Sequence, residues 1–490
     1  MDRREKIYLT AITVLSIIAR FSFISRRSIW HDEGFTTMII NFSPLEIIRR
    51  TALDVHPPLY YLLLHYWAKI FGNSELALRG MSAVLGVGVV LFVYVIVKKL
   101  FNQETAKWAT LFTALGPFLI RYSQEARMWN LVAFLATAST YFLIKALEDK
   151  KYTWWILYAT SLSLAAYTQY FSLLVLMPHW IYVLLKSLPW RKEKIKSIFL
   201  PGWWLSNIFI IIAFSFWIPK LIAQMSRVSG GYWIQKSWMT IRTVPSTLYQ
   251  FLAYANFDHF GPFNIPNYIH ELILLLIIAA TIYILIKNKE RWREIIFVLS
   301  YFLIPMYFIF AYSLIRTPIY QDRYFVFTSI ALYSFLALII TAFTSWKKNI
   351  AGVVFIAILI FGIFRVNTTE NHGMREVNDF IKNGYGIGDE IAAGELYVYF
   401  DASYYNKTDE TLKLYADPNS IRQGFGESSL IYDQTDKIVI NDLTKLNPES
   451  NRVWLIGKPW RDYYKKIPSH WQELKNFKKD DSAVTLYKTN

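Results

Sequence analysis

The stretch that organises this chain reads Trp30-His31-Asp32-Glu33-Gly34 at its start and Asp54-Val55-His56-Pro57-Pro58-Leu59-Tyr60-Tyr61 at its end. It follows the first long apolar run of a very hydrophobic sequence, so carboxylates and imidazoles stand at the edge of a predicted membrane. Ionisable groups lose hydration at such a boundary, and proteins retain them there for chemistry or for pairing with other charges. The rest of the chain has to decide between these two uses.

The composition indicates an integral membrane protein. Of the 490 residues, 54% are hydrophobic and 18% are aromatic, and the mean hydropathy is +0.26, which is too apolar for an ordinary soluble protein. The formal net charge of +16 does not indicate a nucleic-acid partner, because many Lys and Arg residues fall in short clusters between apolar runs. The absence of cysteine excludes disulfides and thiolate metal sites.

Eleven apolar runs are candidates for membrane spans, since crossing a bilayer takes about 20 apolar residues. They cover residues 7–24, 80–98, 107–120, 128–146, 153–169, 171–186, 199–218, 268–286, 294–314, 325–345 and 350–366. The third run is short, and the turn at Tyr167-Thr168-Gln169-Tyr170 is tight. The first run follows Asp2-Arg3-Arg4-Glu5-Lys6 without an obvious cleavage site, so we interpret it as an uncleaved span and not as a signal peptide.

The basic residues predict the orientation of the chain, because Lys and Arg accumulate in short cytoplasmic loops. Every second loop is basic when the N-terminus is placed inside the cell. The basic groups are Arg3/Arg4/Lys6, Lys98/Lys99/Lys107, Lys145/Lys150/Lys151, Lys186/Arg191/Lys192/Lys194/Lys196, Lys287/Lys289/Arg291/Arg293 and Lys347/Lys348. The short outer turns carry only Arg121, Arg127, Arg316 and Arg323. An odd number of spans then places the C-terminus outside.

Three sizeable segments are predicted to face the outside: residues 25–79, 219–267 and 370–490. In the first, Ser43-Pro44 begins a short amphipathic helix lying on the membrane surface. Pro57-Pro58 then begins a helix over Leu59–Phe71, which ends at Gly72-Asn73. The second segment is rich in aromatic residues, which are more typical of a membrane-interface belt than of a sugar-binding platform. These are Tyr232, Trp233, Trp238, Tyr249, Tyr254 and Phe257.

The third segment has the composition of a soluble domain, which divides the chain into a transmembrane domain at 1–369 and a small α/β domain at 370–490. Helices are predicted at Arg375–Lys382 and Trp460–Phe477. Strands are predicted at Glu390–Ala393, Lys437–Asn441, Arg452–Ile456 and Ala483–Tyr487. The glycines of Gly384-Tyr385-Gly386-Ile387-Gly388 precede the first strand instead of following it, which excludes a dinucleotide-binding loop.

Asp32-Glu33 is a candidate for general base catalysis. A neighbouring like charge raises the pKa of a carboxyl group, which suits a base that must accept a proton. The plainer alternative is a solvated acidic pair that caps a surface helix. In the second motif, Asp54 and His56 are fixed by two prolines at a helix start, and the alternative there is a helix-start motif with a surface histidine.

Two outer turns carry further candidates. Glu125 lies in Arg121-Tyr122-Ser123-Gln124-Glu125-Ala126-Arg127, although a Glu125–Arg127 surface pair of little energetic value would explain it equally. Arg316 and Arg323 lie on a later turn and could hold a phosphate, or could simply face lipid headgroups. All of these groups lie on the predicted outer side. A site there with carboxylates, arginines and aromatic residues fits transfer of a group from a phospholipid-like donor. Because nucleotide-activated donors are cytoplasmic, a transferase on that side needs a donor carried across the membrane on a lipid.

These residues resemble a known family. Trp30-His31-Asp32-Glu33, Asp54–Tyr61 and Tyr122-Ser123-Gln124-Glu125-Ala126-Arg127-Met128 are similar to motifs of the GT-C glycosyltransferases, specifically the prokaryotic, family 39-like relatives of protein O-mannosyltransferases and lipid A aminoarabinose transferases. The resemblance covers residues 1–130 well, the later spans in layout, and the tail only as a domain type. It implies an α-helical polytopic protein of GT-C architecture in a prokaryotic plasma membrane, with a polyprenyl-phosphate sugar donor and an inverting displacement at the anomeric carbon.

The resemblance also implies roles for individual residues. Asp32 matches the general base for the acceptor hydroxyl, Glu33 would orient Asp32 or the acceptor, and Glu125 matches a second acidic position. The candidate substrate-binding residues are His56, Asp54, Tyr60, Arg127 and Arg323, and the two arginines would face the departing lipid phosphate, where charge stabilisation helps most. Some relatives bind a divalent metal, for which Asp54, His56 and Glu125 are candidates; no other cofactor is implied.

Departures from the family and two alternative functions remain. Leu59-Tyr60-Tyr61 replaces the Leu-Gly-Lys of protein O-mannosyltransferases, and the soluble segment lies at the end of the chain, which leaves glycan, lipid or protein as the acceptor.

A transporter or flippase of lipid-linked sugars would place ionisable groups at the membrane midplane, whereas these spans hold few charges, Arg20 being one. An inactive scaffold is the other alternative, and the retained Asp32, His56 and Glu125 argue against it.

Overall fold

The computed structural model describes residues 2–149, 151–188, 197–229, 233–254, 267–368, 372–460 and 466–489. By packing, the chain forms two units. Met1–Ser22 and Arg79–Thr368 form the first, called here the helical unit, and Phe23–Leu78 and Thr369–Asn490 form the second, called here the sheet unit. The first outer segment therefore packs with the C-terminal segment, while the domain boundary after residue 369 stays a prediction from sequence.

Helices dominate the described residues. In chain order the first of them are α1 Arg3–Phe21, α2 His31–Ile39, α3 Pro44–Leu53, α4 Leu59–Phe71, α5 Glu75–Leu100, α6 Gln103–Leu115, α7 Pro117–Ser123, α8 Trp129–Asp149, α9 Tyr152–Ala166 and α10 Leu176–Ser187. They continue with α11 Pro201–Ser215, α12 Ile218–Ser229, α13 Thr243–Ala253, α14 Asn267–Lys287, α15 Trp292–Ile315, α16 Val326–Ala342, α17 Trp346–Thr368, α18 Met374–Gly384, α19 Leu396–Tyr405, α20 Pro418–Arg422 and α21 Thr435–Ile438.

The apolar runs form helices, as the sequence predicts, and the chain is a multi-pass membrane protein. Among the described residues, six helical segments are long and apolar enough to cross a membrane by themselves: Glu75–Leu100, Trp129–Asp149, Tyr170–Ser187, Lys289–Ile315, Asp322–Ala342 and Trp346–Thr368. The α11–α12 pair, bent by 65°, would be a seventh. Each of the eleven predicted runs falls on a helical segment, but the count of eleven crossings stays a prediction.

Two breaks in the helical unit follow from local sequence. The short third run is split into α6 and α7 at Gly116, because Pro117 begins a new helix. The close turn after α9 is confirmed: α9 ends at Ala166, and a 3-10 helix over Tyr170–Val175 leads into α10. Arg20, the charge noted in the first run, is buried and donates to Ser16 Oγ at 2.8 Å and to the carbonyls that α6 leaves open at its C-terminal end.

The sheet unit contains a six-stranded mixed sheet in the order β3-β2-β1-β4-β6-β5. The strands are β1 Glu390–Ala393, β2 Lys413–Tyr415, β3 Val439–Ile440, β4 Arg452–Gly457, β5 Gln472–Lys479 and β6 Ser482–Lys488. Strand β1 lies parallel to β2 and β4, and β2 lies parallel to β3, whereas β6 runs antiparallel to both β4 and β5. The predicted mixture of helices and strands in this segment is confirmed.

The predictions for the C-terminal segment fail in one place. The predicted strands at 390–393, 452–456 and 483–487 correspond to β1, β4 and β6, and the short β3 lies within the predicted 437–441. The predicted helix over Trp460–Phe477 is wrong where it is described, because β5 begins at Gln472; residues 461–465 lie outside the described part. Strand β5 is an exposed, lysine-rich edge strand, and such strands lack the apolar alternation that identifies a strand in sequence.

The first outer segment contains two predicted helices and one that was not predicted. Ser43 caps α3 by accepting a hydrogen bond from the Glu46 backbone N–H at 3.4 Å, and α4 ends at Gly72, which adopts a positive φ of 86°. Helix α2 was not predicted, because Trp30 at its start offers no side-chain cap. Arg50 lies on α3, the helix predicted to lie on the membrane surface, but it is buried and pairs with Asp433 at 2.6 Å.

Candidate functional site

Asp32 and Glu33 lie in the first turn of α2, and both are buried. Asp32 is 8% exposed and Glu33 is 1% exposed, so the alternative of a solvated acidic pair is wrong. The start of a helix carries partial positive charge from its unsatisfied backbone N–H groups, which favours carboxylates in the first turn. The fold therefore holds two adjacent carboxyl groups away from bulk water.

His31 directly contacts the first of these carboxylates. Its Nε2 lies 3.0 Å from Asp32 Oδ1 and 3.9 Å from Glu427 Oε1, and its ring centroid lies 4.8 Å from that of Tyr397. Burial alone would lower the pKa of His31, but the nearby carboxylates of Asp32, Glu427 and Asp401 outweigh it, so the pKa is raised. A protonated His31 can donate to Asp32 and so favours the ionised carboxylate that a general base requires.

Asp401 packs against α2 at Gly34. A Cβ atom at Gly34 would lie 2.6 Å from Asp401 Oδ1 and 2.9 Å from its backbone nitrogen. Asp401 is 2% exposed, and its Oδ1 has no hydrogen-bond partner among the described residues. Burial raises the pKa of this carboxyl group well above its ordinary value. The close approach of α19 to α2 therefore depends on a residue without a side chain at position 34.

Gly34→Ala should destabilise the sheet unit by about 1–3 kcal/mol, the usual cost of inserting a group into a packed interior. The added methyl meets backbone atoms of Phe400 and Asp401, which cannot rotate away. Thermal unfolding in detergent measures the effect. Gly386→Ala is the matched control, since its Cβ first meets the guanidinium end of the Arg452 side chain and not backbone atoms, and it should cost less. Equal losses for the two variants would contradict the packing argument.

Asp401→Asn should stabilise the protein at neutral pH. Because burial raises the pKa of Asp401 in the folded state, folding is favoured while the group is protonated, and stability falls as pH rises from the unfolded pKa through the folded pKa. The side chain of asparagine does not titrate, so the loss of stability with rising pH should be absent from the variant. The melting temperature of the variant should exceed that of the wild type by a margin that grows with pH. A margin independent of pH would refute this assignment; the exposed Asp409→Asn is the control.

His31, Asp32 and Glu427 form the group of potential metal ligands found in the described part of the chain. One ligand atom from each lies within 4.8 Å of the others. An imidazole nitrogen with two carboxylate oxygens suits Zn²⁺ or a similar divalent ion. This set differs from the Asp54, His56 and Glu125 proposed from sequence.

The second motif lies at the turn between α3 and α4. Asp54 is buried at the C-terminal end of α3, where its backbone N–H donates to the Arg50 carbonyl at 3.1 Å. His56 is half-buried on the turn. Tyr60 is buried in α4, where its ring meets that of Tyr61 edge to face at 5.8 Å. Asp54 and Tyr60 are therefore packed side chains, and their predicted part in substrate binding stays a prediction.

In the helical unit, Glu125 is fully buried in an ion pair. Its Oε2 accepts from Arg121 Nη1 at 2.7 Å, and its Oε1 accepts from Trp129 Nε1 at 3.4 Å. Arg121 Nε also donates to the Tyr254 hydroxyl at 3.1 Å. The alternative of a surface pair at Glu125 is therefore wrong, because Glu125 and Arg127 are both buried and Glu125 pairs with Arg121.

Glu125, Arg121 and Trp129 form a cluster, and Arg323, one of the predicted arginines, lies next to it. Arg323 lies over the Trp129 ring at 5.5 Å, on the ring that also contacts Glu125, and its Nε donates to Gln321 Oε1 at 2.7 Å. Arg127 is buried, and its backbone carbonyl accepts from Ser82. In the aromatic segment, Trp233 and Trp238 are exposed, and two members of the predicted set, at 232 and 257, lie outside the described residues.

Several residues around His31 and around Glu125 were not identified from the sequence. Glu427, Asp401 and Tyr397 come from the C-terminal segment and surround His31, but no spacing rule connects them with a motif nearly 400 residues earlier. Arg121 was noted only as an outer-turn charge. Its position four residues before Glu125 was the one signal of pairing available in the sequence.

Comparison with known proteins supports the family resemblance in part of the chain. A model of the dolichyl-phosphate-mannose–protein mannosyltransferase family matches residues 55–219. The putative mannosyltransferase YkcB of Bacillus subtilis (strain 168) is 25% identical over 156 residues, which are 29% of this chain. The matched region spans only 22% of YkcB.

Comparison of structures covers nearly the whole chain. ArnT from Cupriavidus metallidurans, solved bound to undecaprenyl phosphate, matches with a TM-score of 0.62 over 98% of this chain and 97% of its own, at 12% identity. The archaeal oligosaccharyltransferase AglB from Archaeoglobus fulgidus, solved with an inhibitory peptide and a dolichol-phosphate, matches with a TM-score of 0.51 over 93% of this chain and 69% of its own, at 12% identity.

These similarities favour the glycosyltransferase hypothesis over the transporter hypothesis, because the matched family, YkcB and AglB are by name mannosyl- or oligosaccharyltransferases. The comparison of structures confirms the predicted fold. The chain is a multi-pass membrane protein with the GT-C fold of ArnT and with a segment similar to the dolichyl-phosphate-mannose–protein mannosyltransferase family.

Proposed function

We propose that this chain transfers a sugar from a polyprenyl-phosphate donor to a hydroxyl group of a glycan, lipid or protein acceptor, on the outer face of a prokaryotic plasma membrane. The observation that carries the proposal is the buried Asp32 in contact with His31 at the start of α2. The similarity to ArnT, solved with undecaprenyl phosphate, and to the mannosyltransferase family supports the class of donor.

The chemistry assigned to Asp32 is general base catalysis. One carboxylate oxygen accepts from His31, and the other removes the proton from the acceptor hydroxyl. The hydroxyl oxygen attacks the anomeric carbon as the bond from that carbon to the phosphate oxygen breaks. The polyprenyl phosphate leaves with the bonding electrons, and the anomeric configuration is inverted. Glu33, one residue further along α2, helps to orient the base or the acceptor.

The helical unit carries charges suited to a lipid phosphate. Arg323 presents a guanidinium group over Trp129, and guanidinium groups bind phosphate with paired hydrogen bonds. Neutralising the charge that develops on the departing phosphate lowers the barrier to transfer. We assign this role to Arg323 and Arg127, and we assign to Glu125 the role of holding Arg121 in place within the same cluster.

A divalent cation, in an enzyme of this family that uses one, would be held here by His31, Asp32 and Glu427. It would supply electrostatic stabilisation of negative charge on a bound oxygen. His31 binds a metal only as the neutral imidazole, so the ion pair with Asp32 and a metal are competing states of the same group.

The orientation belongs to the same proposal. The alternation of basic loops places the N-terminus in the cytoplasm and the C-terminal segment outside. Asp32 and Glu125 would then both face the side on which lipid-carried sugars, and not nucleotide sugars, are available. No nucleic-acid partner is part of this proposal.

Proteoliposomes with donor lipid in only the outer or only the inner leaflet separate transfer from transport. We expect the sugar to move to an added acceptor with release of polyprenyl phosphate, and without movement of intact donor across the bilayer. Empty liposomes measure background movement. Intact donor crossing the bilayer with no released lipid phosphate would overturn the proposal in favour of a flippase.

A further inference from the structure

A second feature of the sheet unit is an open cleft of about 810 Å³, within the range of about 300–1,000 Å³ typical of small-molecule sites. The C-terminal end of α2 and the residues just after it form one wall, through Thr37 and Asn41. The turn that follows α4 forms another, through Asn73 and Ser74, and α19 forms the third, through Phe400 and Tyr404. None of these residues belongs to the clusters assigned above.

The charged groups of the cleft are already paired with one another. Arg375 Nε donates to Glu75 Oε1 at 3.2 Å, and its Nη2 donates to the Ser25 carbonyl at 2.8 Å. The Tyr405 hydroxyl donates to the same Glu75 carboxylate. Lys407, at the rim, lies 2.6 Å from Asp379. Because each cation has its own carboxylate, the cleft offers no surplus charge to a phosphate or another anion.

The remaining groups are neutral and able to form hydrogen bonds. Asn41 donates through Nδ2 to the Thr37 carbonyl at 2.9 Å, which leaves its Oδ1 as an acceptor. The side-chain amide of Asn73 is exposed and makes no hydrogen bond within the described residues, and Ser74 is also exposed. Half-buried Tyr404 adds an aromatic ring, held in place by its hydroxyl, which donates to the Asn73 carbonyl at 2.8 Å.

Exposed amides and a hydroxyl next to the half-buried Tyr404 ring match the chemistry of a sugar chain. Vicinal sugar hydroxyls are both donors and acceptors, as amide side chains are, and the apolar face of a sugar ring packs on aromatic carbon. The cleft also shares α2 with the proposed base. Thr37 lies five positions after Asp32, which corresponds to about 7.5 Å along the helix axis.

We propose that this cleft binds a neutral saccharide chain. We further propose that this chain is the acceptor of the transferred sugar, a use that rests on the proposed function, whereas the binding itself does not. The C-terminal segment would then select the acceptor, because it supplies the aromatic wall.

Titration of the full-length protein in detergent with short neutral oligosaccharides of mannose, glucose, galactose and arabinose tests the proposal. We expect binding, weakened about 2- to 10-fold by Asn41→Ala and by Asn73→Ala, as for the loss of one hydrogen bond. Asn419→Ala, an exposed asparagine on α20 away from the cleft, is the matched control and should bind like the wild type. All three positions are exposed, so folding should be retained.

Three results would overturn the proposal: no neutral oligosaccharide binds, binding is indifferent to both cleft variants, or only an oligogalacturonate or a Ser/Thr-rich peptide binds and responds to them. Asp32→Asn, which lacks the proposed base, should bind the saccharide like the wild type in the same titrations. Loss of binding and loss of transfer are therefore separate results. Saccharide binding that depends on Asn41 and Asn73, in a protein that transfers no sugar from any donor, would support the cleft and refute the reaction.

Discussion

Asp32→Asn is expected to lower the turnover number for sugar transfer by about 10²–10⁴-fold, the usual contribution of a general base. Asparagine has nearly the same volume as aspartate and can still accept a hydrogen bond from His31, which lies 3.0 Å away. It cannot take up a proton at neutral pH. The loss should therefore appear in kcat, with little change in KM for the donor, in assays with a polyprenyl-phosphate sugar.

Two comparisons make this result specific. Asp409→Asn changes an exposed aspartate of the same unit and should leave kcat unchanged. Glu33→Gln alters the neighbouring buried carboxylate and should cost less than Asp32→Asn if Glu33 only orients the base. A kcat for a folded Asp32→Asn protein close to that of the wild type would remove Asp32 from the mechanism.

Glu125→Gln is expected to have the largest effect on stability, a loss of about 3–5 kcal/mol in the free energy of unfolding. Glu125 and Arg121 are both buried and lie 2.7 Å apart. Glu125→Gln takes from the buried Arg121 the carboxylate that it contacts, in a region of low dielectric where loss of a counter-charge is costly. The thermal unfolding midpoint in detergent measures this loss.

A double variant tests whether the uncompensated charge is the cause. Arg121→Met combined with Glu125→Gln removes both charges, and most of the lost stability should return. Transfer should stay impaired in the double variant, because the guanidinium cluster around Trp129 has lost a member. A double variant as unstable as Glu125→Gln alone would show that packing around Glu125, and not its pairing, carries the stability.

Much of the fold could be predicted because its signals are local. Apolar runs became helices, Ser43 and Gly72 marked the ends of α3 and α4, and the strands β1, β4 and β6 carried clear apolar patterns. Helix α2 was missed for lack of a capping side chain, and β5 was taken for a helix because its residues are exposed and polar. Both misses arise where tertiary contacts, and not local preference, decide the structure.

Only those site residues that sequence neighbours identify could be predicted. Asp32-Glu33 and Glu125 were selected from their neighbours in sequence, and their burial and partners came from contacts that a single sequence does not show. Glu427 and Asp401 reach His31 from the far end of the chain. Glu125 pairs with Arg121, four positions earlier, a contact that was not predicted.

The most direct test of sugar transfer is the release of polyprenyl phosphate from a panel of polyprenyl-phosphate sugars, measured for the purified wild type and for Asp32→Asn in the presence of an acceptor. We predict release of one polyprenyl phosphate for each sugar moved to the acceptor, with at least one donor of the panel, and a rate about 10²–10⁴-fold lower in the variant. Equal release by the two proteins, or no release from any donor by the wild type, would contradict the proposed reaction.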